Sequence, residues 1–118
     1  PDNAVAAEFL SHDQVLPDVA LVVSHVGHGT MCAAARHGVP ILALPMGRDQ
    51  DRNAVILTEH GIGAWLPPSS VPSEITELAQ RLLADDATLS KCAEVAAAIS
   101  AHPGTDYAIQ LLTSQPTR

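Results

Sequence analysis

The stretch VALVVSHVGHGTMCAAARHG, residues 19–38, joins an apolar run to a glycine-rich turn and an alanine-rich segment. The uninterrupted run Val19–Val23 is typical of a parallel strand that is covered on both faces. Gly27–Gly29 predicts a tight loop, and Thr30–His37 predicts a helix that stops at Gly38. A strand that leads through a short loop into a helix is the repeating unit of α/β domains.

The rest of the chain continues this alternation and then becomes helical. Further strands are predicted at Ala4–Leu10, Ile41–Leu44 and Gly63–Leu66, and a polar connector with one helical turn at Ser11–Pro17. Further helices are predicted at Asp49–His60, at 73–83 with Ser73 as the cap, at Leu89–Ile99 and, after a break at Pro103–Gly104, at Asp106–Thr113. We therefore predict an α/β fold, a Rossmann-like parallel sheet with flanking helices. Its strand–helix core covers about 4–67, and its covering helices about 73–114.

The composition allows one domain with an aliphatic core and argues against nucleic acid as a partner. Of the 118 residues, 47% are apolar but only 3% are aromatic, so alanine and the branched aliphatic residues must fill the core. The net charge is −7, and Lys91 is the only lysine. Without a basic cluster, a bound phosphate would have to be met mainly by backbone N–H groups and histidine.

The two cysteines and the apolar runs indicate where the chain resides. Cys32 and Cys92 are far apart in helical segments, which predicts two buried, reduced thiols. No apolar run approaches the ~20 residues that a membrane span needs, and no signal-peptide pattern is present. We expect a cytoplasmic protein. Because the chain starts at Pro1 rather than methionine, we expect it to be part of a longer one.

The turn after the Val19–Val23 strand is a candidate phosphate site. Glycine lets a backbone approach a ligand closely, and free N–H groups at a helix start favour anions. The candidate ligands are His25, Gly27, His28, Gly29 and Thr30. The alternatives are a simple helix cap at Thr30 and a structural His25. A metal site is not predicted, because a glycine turn does not hold His25 and His28 on one face and no further ligand cluster lies near them or Cys32.

A second polar pair follows the next strand. The carboxylate of Asp49 and the amide of Gln50 together can bind vicinal hydroxyls, or they can cap the following helix. Asn53, one turn later, either joins them or faces solvent. Asp49 could also be the ribose-binding acid of a dinucleotide fold, although Cys32 occupies the third glycine position of that motif. Phe9 is either a core side chain or a platform for a nucleobase.

In order along the chain, these motifs are His-x-Gly-x-Gly-Thr at 25–30, His-Gly-Val-Pro at 37–40 and Asp-Gln-x-x-Asn at 49–53. Together they resemble the donor-binding, C-terminal domain of family 1 glycosyltransferases of the GT-B fold. The resemblance runs from Pro1 to about Leu112, and it is closest to bacterial enzymes that glycosylate macrolides and other natural products.

The resemblance implies a role for each motif. His25, Gly27, His28, Gly29 and Thr30 would hold the donor diphosphate, although Val26 stands where the family has glycine. Asp49 and Gln50 would contact the sugar hydroxyls. Phe9, Leu10 and His12 fall where the family often has Trp-x-Pro-Gln, which contacts the base. Ala33 replaces the ribose-binding glutamate of plant relatives, which is compatible with a deoxyribose donor such as a TDP-sugar.

The resemblance also implies how the parent protein works. A sugar would pass with inversion from a UDP- or TDP-sugar to a hydroxyl of a small natural-product or lipid-like molecule. No cofactor or metal beyond the nucleotide-sugar substrate is implied. An N-terminal domain outside this sequence would bind the acceptor and supply the catalytic base, so the chain alone should be inactive. An exposed sheet edge could pair two copies. The alternatives are a non-catalytic nucleotide- or partner-binding α/β module and a fragment of a dinucleotide-dependent oxidoreductase.

Overall fold

The computed structural model describes residues 1–102 and 104–114. Its elements in chain order are α1 (His12–Val15), a 3-10 turn (Leu16–Asp18), β1 (Val22–Ser24), α2 (His28–His37), β2 (Ile41–Ala43), α3 (Gln50–Glu59), β3 (Gly63–Trp65), α4 (Pro72–Ala84), α5 (Asp86–Ala101) and α6 (Gly104–Thr113). The three strands are parallel in the order β1-β2-β3. The predicted α/β class and parallel sheet are confirmed.

Of the three described strands, only the central strand β2 is covered on both faces; Val23 of β1 is half exposed, so the predicted double cover of that strand is wrong. The side chains of β2 alternate, so that Ile41 and Ala43 join one apolar cluster and Leu42 joins another. The first cluster gathers residues of α2, α3 and α5, among them Ala34, Leu57 and Cys92. The second gathers Leu78 and Leu82 of α4 around Leu42. All three residues of β2 are fully buried, which accounts for its uninterrupted apolar sequence.

The predicted strand at Ala4–Leu10 is wrong. In the structure this segment is irregular, and each of its residues is exposed. A strand needs a neighbour that pairs with its backbone, and the described sheet contains only β1, β2 and β3. The strand predicted at Val19–Val23 is shorter than expected and begins at Val22, where pairing with Ile41 starts.

Several helix starts also differ from the prediction: α5 begins at Asp86 rather than Leu89, and α6 at Gly104 rather than Asp106. Helix α4 begins at Pro72, which suits a first helical position because proline lacks an N–H. The carboxylate of Glu74 accepts a bond from the Val71 N–H at 2.8 Å, so Ser73 is not the cap. Helix α2 begins at His28, two residues before the predicted start at Thr30. Of the predicted break at Pro103–Gly104, Pro103 lies outside the described residues.

The predicted end of α2 is confirmed. Gly38 has a φ of +70°, and its N–H bonds to the carbonyl oxygens of Ala34 and Ala35. A side chain is strained in this left-handed conformation, so glycine suits the position. A Cβ there would lie 3.5 Å from the Ala96 Cβ, which shows how closely α5 passes. No helix within the described residues is long and apolar enough to cross a membrane.

Candidate functional site

The loops that carry the predicted diphosphate and sugar residues lie at one edge of the sheet. Ser24, Ala43 and Trp65 are in register at the carboxyl ends of the three strands. The loop after β1 leads into α2, and the loop after β2 leads into α3. Ligands of open α/β sheets bind at this edge, because strand-end loops and helix N termini converge there.

The N terminus of α2 presents backbone donors. Gly27 is the N-cap, and no side chain caps the helix. The first backbone bond of the helix runs from the Met31 N–H to the Gly27 carbonyl at 3.0 Å. The N–H groups before Met31 therefore lie in the turn that has no intrahelical acceptors. Thr30 is not the helix cap, so that alternative is wrong.

Gly27, the last residue of the loop, and Gly29, in the first turn of α2, differ in their surroundings. A Cβ on Gly27 would lie 3.0 Å from Nε2 of His25, so the glycine gives the imidazole room to lie across the loop. A Cβ on Gly29 would have no protein atom within 4 Å. His25, His28 and Gly29 are all exposed. The open side of the loop therefore combines an imidazole, backbone donors and free space.

Val26 gives the loop an unusual backbone. Its φ is +59°, although valine is a β-branched residue, and its side chain is fully buried. Such a conformation costs about 1–3 kcal/mol unless the surroundings hold it in place. The Val26 N–H donates to the hydroxyl oxygen of Ser24 at 3.0 Å. Its carbonyl accepts a bond from the Asn53 amide at 3.0 Å.

The side chain of Gln50 bridges the loop between β2 and α3. The amide oxygen of this side chain accepts a bond from the Met46 N–H at 2.7 Å. The turn between them places Gly47 and Arg48 at φ values of +120° and +62°. Because the Met46 bond engages the amide oxygen, the group of Gln50 that remains to contact a ligand is the NH₂, which is a donor.

Asp49 is exposed and stands at the N-cap position of α3, as the capping alternative predicts, but its side chain accepts no bond from the helix backbone. Its Oδ2 accepts a bond from the Asn53 amide at 3.3 Å. Asn53 is buried, with 6% of its surface exposed, and joins Asp49 rather than facing solvent. The spacing of one helical turn was the sequence signal for this contact, but no pattern signalled the second bond to Val26.

Phe9, Leu10 and His12 border a cleft of about 510 Å³ between residues 9–13 and α2. From α2, the cleft is lined by Gly29, Cys32, Ala33 and Arg36. Phe9 is 83% exposed, so its interpretation as a core side chain is wrong. A cleft of about 570 Å³ between β3, α4 and the start of α5 is lined by none of the predicted site residues.

An exposed ion pair connects residues 9–13 to α2. Oδ1 of Asp13 lies 2.8 Å from the Arg36 guanidinium and 3.2 Å from Nε2 of His37. Hydrogen bonds from His37 and then Arg36 hold the pKa of the Asp13 carboxyl below its ordinary value. Sequence reasoning assigned no function to these residues, since their spacing has no recognisable pattern.

The prediction of two buried thiols is half wrong. Cys92 is buried, and its burial raises the pKa of the thiol. Cys32 is exposed, because α2 turns Ala33 and Ala34 toward the sheet. Its sulfur lies 3.5 Å from Nε2 of His28, one helical turn away. Within the described residues, no group of three His, Cys, Asp or Glu side chains could hold a metal ion.

The chain is similar in sequence to bacterial sugar transferases. It is 38% identical over 87 residues to the demethyllactenocin mycarosyltransferase of Streptomyces fradiae, an alignment that covers 73% of this chain and 19% of that protein. It is 40% identical over 82 residues to the TDP-daunosamine transferase DnrS of Streptomyces peucetius, with 70% and 19% covered. The chain thus spans about a fifth of the length of these relatives.

The fold is also that of a solved glycosyltransferase. The spinosyn rhamnosyltransferase SpnG, complexed with thymidine diphosphate, superposes with a TM-score of 0.88 at 30% identity. The match covers 97% of this chain and 32% of SpnG. The predicted GT-B type of fold is therefore confirmed. Residues 1–113 match the model of the erythromycin biosynthesis protein CIII-like C-terminal domain, and the chain belongs to that family of glycosyltransferase domains.

Proposed function

We propose that this chain binds the nucleotide-sugar donor of a glycosyltransferase at the carboxyl edge of its sheet. The observation that carries the proposal is the pairing of the two loops there. The N terminus of α2 has no side-chain cap. The neighbouring loop holds Asp49 and Gln50, each of which can offer a second polar group to a ligand. Family membership supports this proposal over the oxidoreductase alternative.

The diphosphate would lie against the start of α2. Donors there are the N–H groups of Gly27, His28, Gly29 and Thr30 and the imidazole of His25. Backbone donors at a helix start suit a chain with net charge −7 and a single lysine, because they bind an anion without a cationic side chain. The same donors would stabilise the charge that builds on the diphosphate as it leaves the sugar.

The sugar would lie toward α3. The free carboxylate oxygen of Asp49 accepts hydrogen bonds, and the amide NH₂ of Gln50 donates them. A pair of one acceptor and one donor matches the two neighbouring hydroxyls of a pyranose. Because Asn53 and Met46 already hold the other atoms of these groups, the pair is oriented before a ligand arrives.

The base would occupy the cleft beside Phe9, Leu10 and His12. An exposed phenyl ring offers a stacking face to a nucleobase. Ala33 on the opposite wall has no polar group for a ribose hydroxyl. We therefore favour TDP over UDP as the nucleotide. Two proteins similar to this chain support the choice, since one is a TDP-daunosamine transferase and the other was solved with thymidine diphosphate.

In the whole enzyme, we propose an inverting transfer of the sugar to a hydroxyl of a small natural-product acceptor. The acceptor and the base that deprotonates it would be held by a domain outside these 118 residues, so the chain alone would be inactive. Pairing of two copies through the free edge of β1 and a cytoplasmic location stay predictions.

An NMR amide titration with TDP, UDP and NAD at millimolar concentration tests the proposal. We expect TDP, and UDP more weakly, but not NAD, to shift the amides of residues 9–12 and 25–30. Asp49→Ala should leave the TDP response in place, because the sugar site is separate from the diphosphate site. Shifts caused by NAD and abolished by Asp49→Ala would favour the dinucleotide alternative. A folded chain that responds to none of the three would contradict the proposal.

A further inference from the structure

Asn53 differs from the other polar side chains of this molecule. Among residues 1–102 and 104–114 it is the one that is buried, at 6% exposure. It belongs to the first turns of α3 but reaches across to the loop after β1, 27 positions earlier in the chain. A buried amide is unfavourable unless it is hydrogen-bonded, so its partners account for its presence there.

Its two hydrogen bonds lead to the two halves of the proposed site. Nδ2 of Asn53 donates to the Val26 carbonyl at 3.0 Å and to Oδ2 of Asp49 at 3.3 Å. One amide group therefore joins the diphosphate loop to the sugar-binding carboxylate. An amide NH₂ carries two hydrogens, which matches the two acceptors.

The unusual backbone conformation of Val26 depends on the hydrogen bonds that its peptide groups make. The residue has a φ of +59°, which a valine adopts only where its surroundings fix it. Its N–H is held by the Ser24 hydroxyl and its carbonyl by Asn53. The peptide that follows leads directly into Gly27 and the first N–H groups of α2. Fixing the carbonyl thereby fixes the direction of those donors.

We propose that Asn53 is a positioning residue that sets the spacing between the diphosphate loop and Asp49, and that it acts through both contacts. This inference rests on the proposed function of the site. Aspartate cannot replace it, since a carboxylate has no proton to offer either acceptor at neutral pH and would repel Asp49. An apolar residue of similar size would keep the packing but release both groups.

The test compares dissociation constants for TDP and TDP-glucose, measured by calorimetry on the whole chain. Their ratio gives the contribution of the sugar to affinity. We expect Asn53→Leu and Asn53→Ala to weaken TDP binding about tenfold, the loss of one hydrogen bond of moderate strength. The sugar contribution should fall to the value that Asp49→Ala gives. In an Asp49→Ala background, Asn53→Ala should not lower it again, because Asn53 acts on the sugar through Asp49.

Leu57→Val is the matched control. Leu57 is fully buried on the same helix, one turn after Asn53, but its contacts are apolar. The control should lower the unfolding temperature and leave both dissociation constants unchanged. Asn53→Ser keeps a small donor and provides a milder variant if the others do not fold. We expect it to lower the sugar contribution less than Asn53→Ala does.

The outcomes separate the inference from the function on which it rests. A wild-type chain that binds neither TDP nor TDP-glucose overturns the proposed function and this inference with it. Wild-type binding together with unchanged constants in the folded Asn53 variants overturns the inference alone. So does an Asn53→Ala effect that the Leu57→Val control reproduces, since the role of Asn53 would then be structural only.

Discussion

The two sides of the proposed site are held in place by different means. On the diphosphate and sugar side, the loops follow β1 and the buried β2 and are fixed by the side chains of Ser24, Gln50 and Asn53. On the base side, residues 1–10 are exposed throughout, and the exposed Asp13 pairs with Arg36 and His37. The first side is anchored in the core, whereas the second reaches the core only at Leu16, beyond the ion pair.

This difference implies different degrees of preorganisation. A loop anchored to buried groups keeps its geometry without a ligand, so binding there costs little conformational entropy. Residues 1–10 are all exposed, and the surface contacts of Asp13 fix them only weakly, because such pairs contribute little in water; the nearest core anchor is Leu16. We expect the phosphate and sugar contacts to be formed in the free chain, and the base contacts to form mainly on binding.

The largest expected difference between the regions lies in stability. Leu42 is fully buried between the sheet and α4, and Leu42→Ala should lower the free energy of unfolding by about 3 kcal/mol. Phe9→Ala should change it by less than about 0.5 kcal/mol, since the ring is 83% exposed. Urea denaturation of both variants measures the contrast. Equal losses would mean that the segment around Phe9 packs on the core in solution.

Two substitutions of Gln50 test separately its hydrogen bond to the loop and its contact with the sugar. Gln50→Leu removes the acceptor for the Met46 N–H and should cost about 1 kcal/mol of stability. Gln50→Glu keeps an oxygen acceptor but loses the NH₂ donor, so stability should hold while the sugar contribution to affinity falls. Denaturation and calorimetry with TDP-glucose test the two parts. If the glutamate variant binds TDP-glucose as well as the wild type, the amide NH₂ does not contact the sugar.

Gly29 should show opposite effects on stability and binding. A Cβ there meets no protein atom, and alanine is the better helix former, so Gly29→Ala should raise the free energy of unfolding by about 0.5 kcal/mol. The new methyl group would enter the space assigned to the diphosphate and weaken TDP binding several-fold. Melting temperature and TDP affinity measured on one sample test both signs. Unchanged TDP affinity would place the diphosphate elsewhere.

The fold was largely predictable because its strands and helix ends have local causes. Ile41–Ala43 is apolar throughout because both faces of its strand are covered, and Gly38 stops α2 through its left-handed backbone. The strand predicted at Ala4–Leu10 failed for a non-local reason. Val5 and Phe9 suit a strand, but the alanines and Glu8 around them do not, and pairing depends on a neighbour about which the sequence of the segment holds no information.

The candidate site was predictable in its residues more than in its connections. Glycines, histidine and the Asp49–Gln50 pair stand at strand ends, a position that the periodicity of the sequence locates. The bond from Asn53 to Val26 joins residues 27 positions apart and depends on a backbone conformation that valine rarely adopts. The Asp13 contacts with Arg36 and His37 likewise depend on how a surface segment lies on α2.

The smallest expected effect concerns Asp13 and pH. Hydrogen bonds from His37 and Arg36 hold its pKa below the ordinary 3.8 in the folded chain. The ion pair therefore contributes its full stabilisation of the folded chain above pH 3.8, the ordinary pKa. This stabilisation is lost as the pH falls through the pKa of the folded chain. Because the carboxylate is exposed, Asp13→Asn should leave the unfolding temperature almost unchanged.

The effect of Asp13→Asn should instead appear in local motion. Amide hydrogen exchange in α1 should become faster in this variant, and in the wild type when the pH falls below the folded pKa of Asp13 or when salt is raised. Amides of the loop from Ser24 to Gly27 should exchange at unchanged rates, because Asn53 and Ser24 hold that loop independently of the ion pair. Faster exchange in both places would mean that the two sides of the site move together, and that the base side is fixed by more than its surface charges.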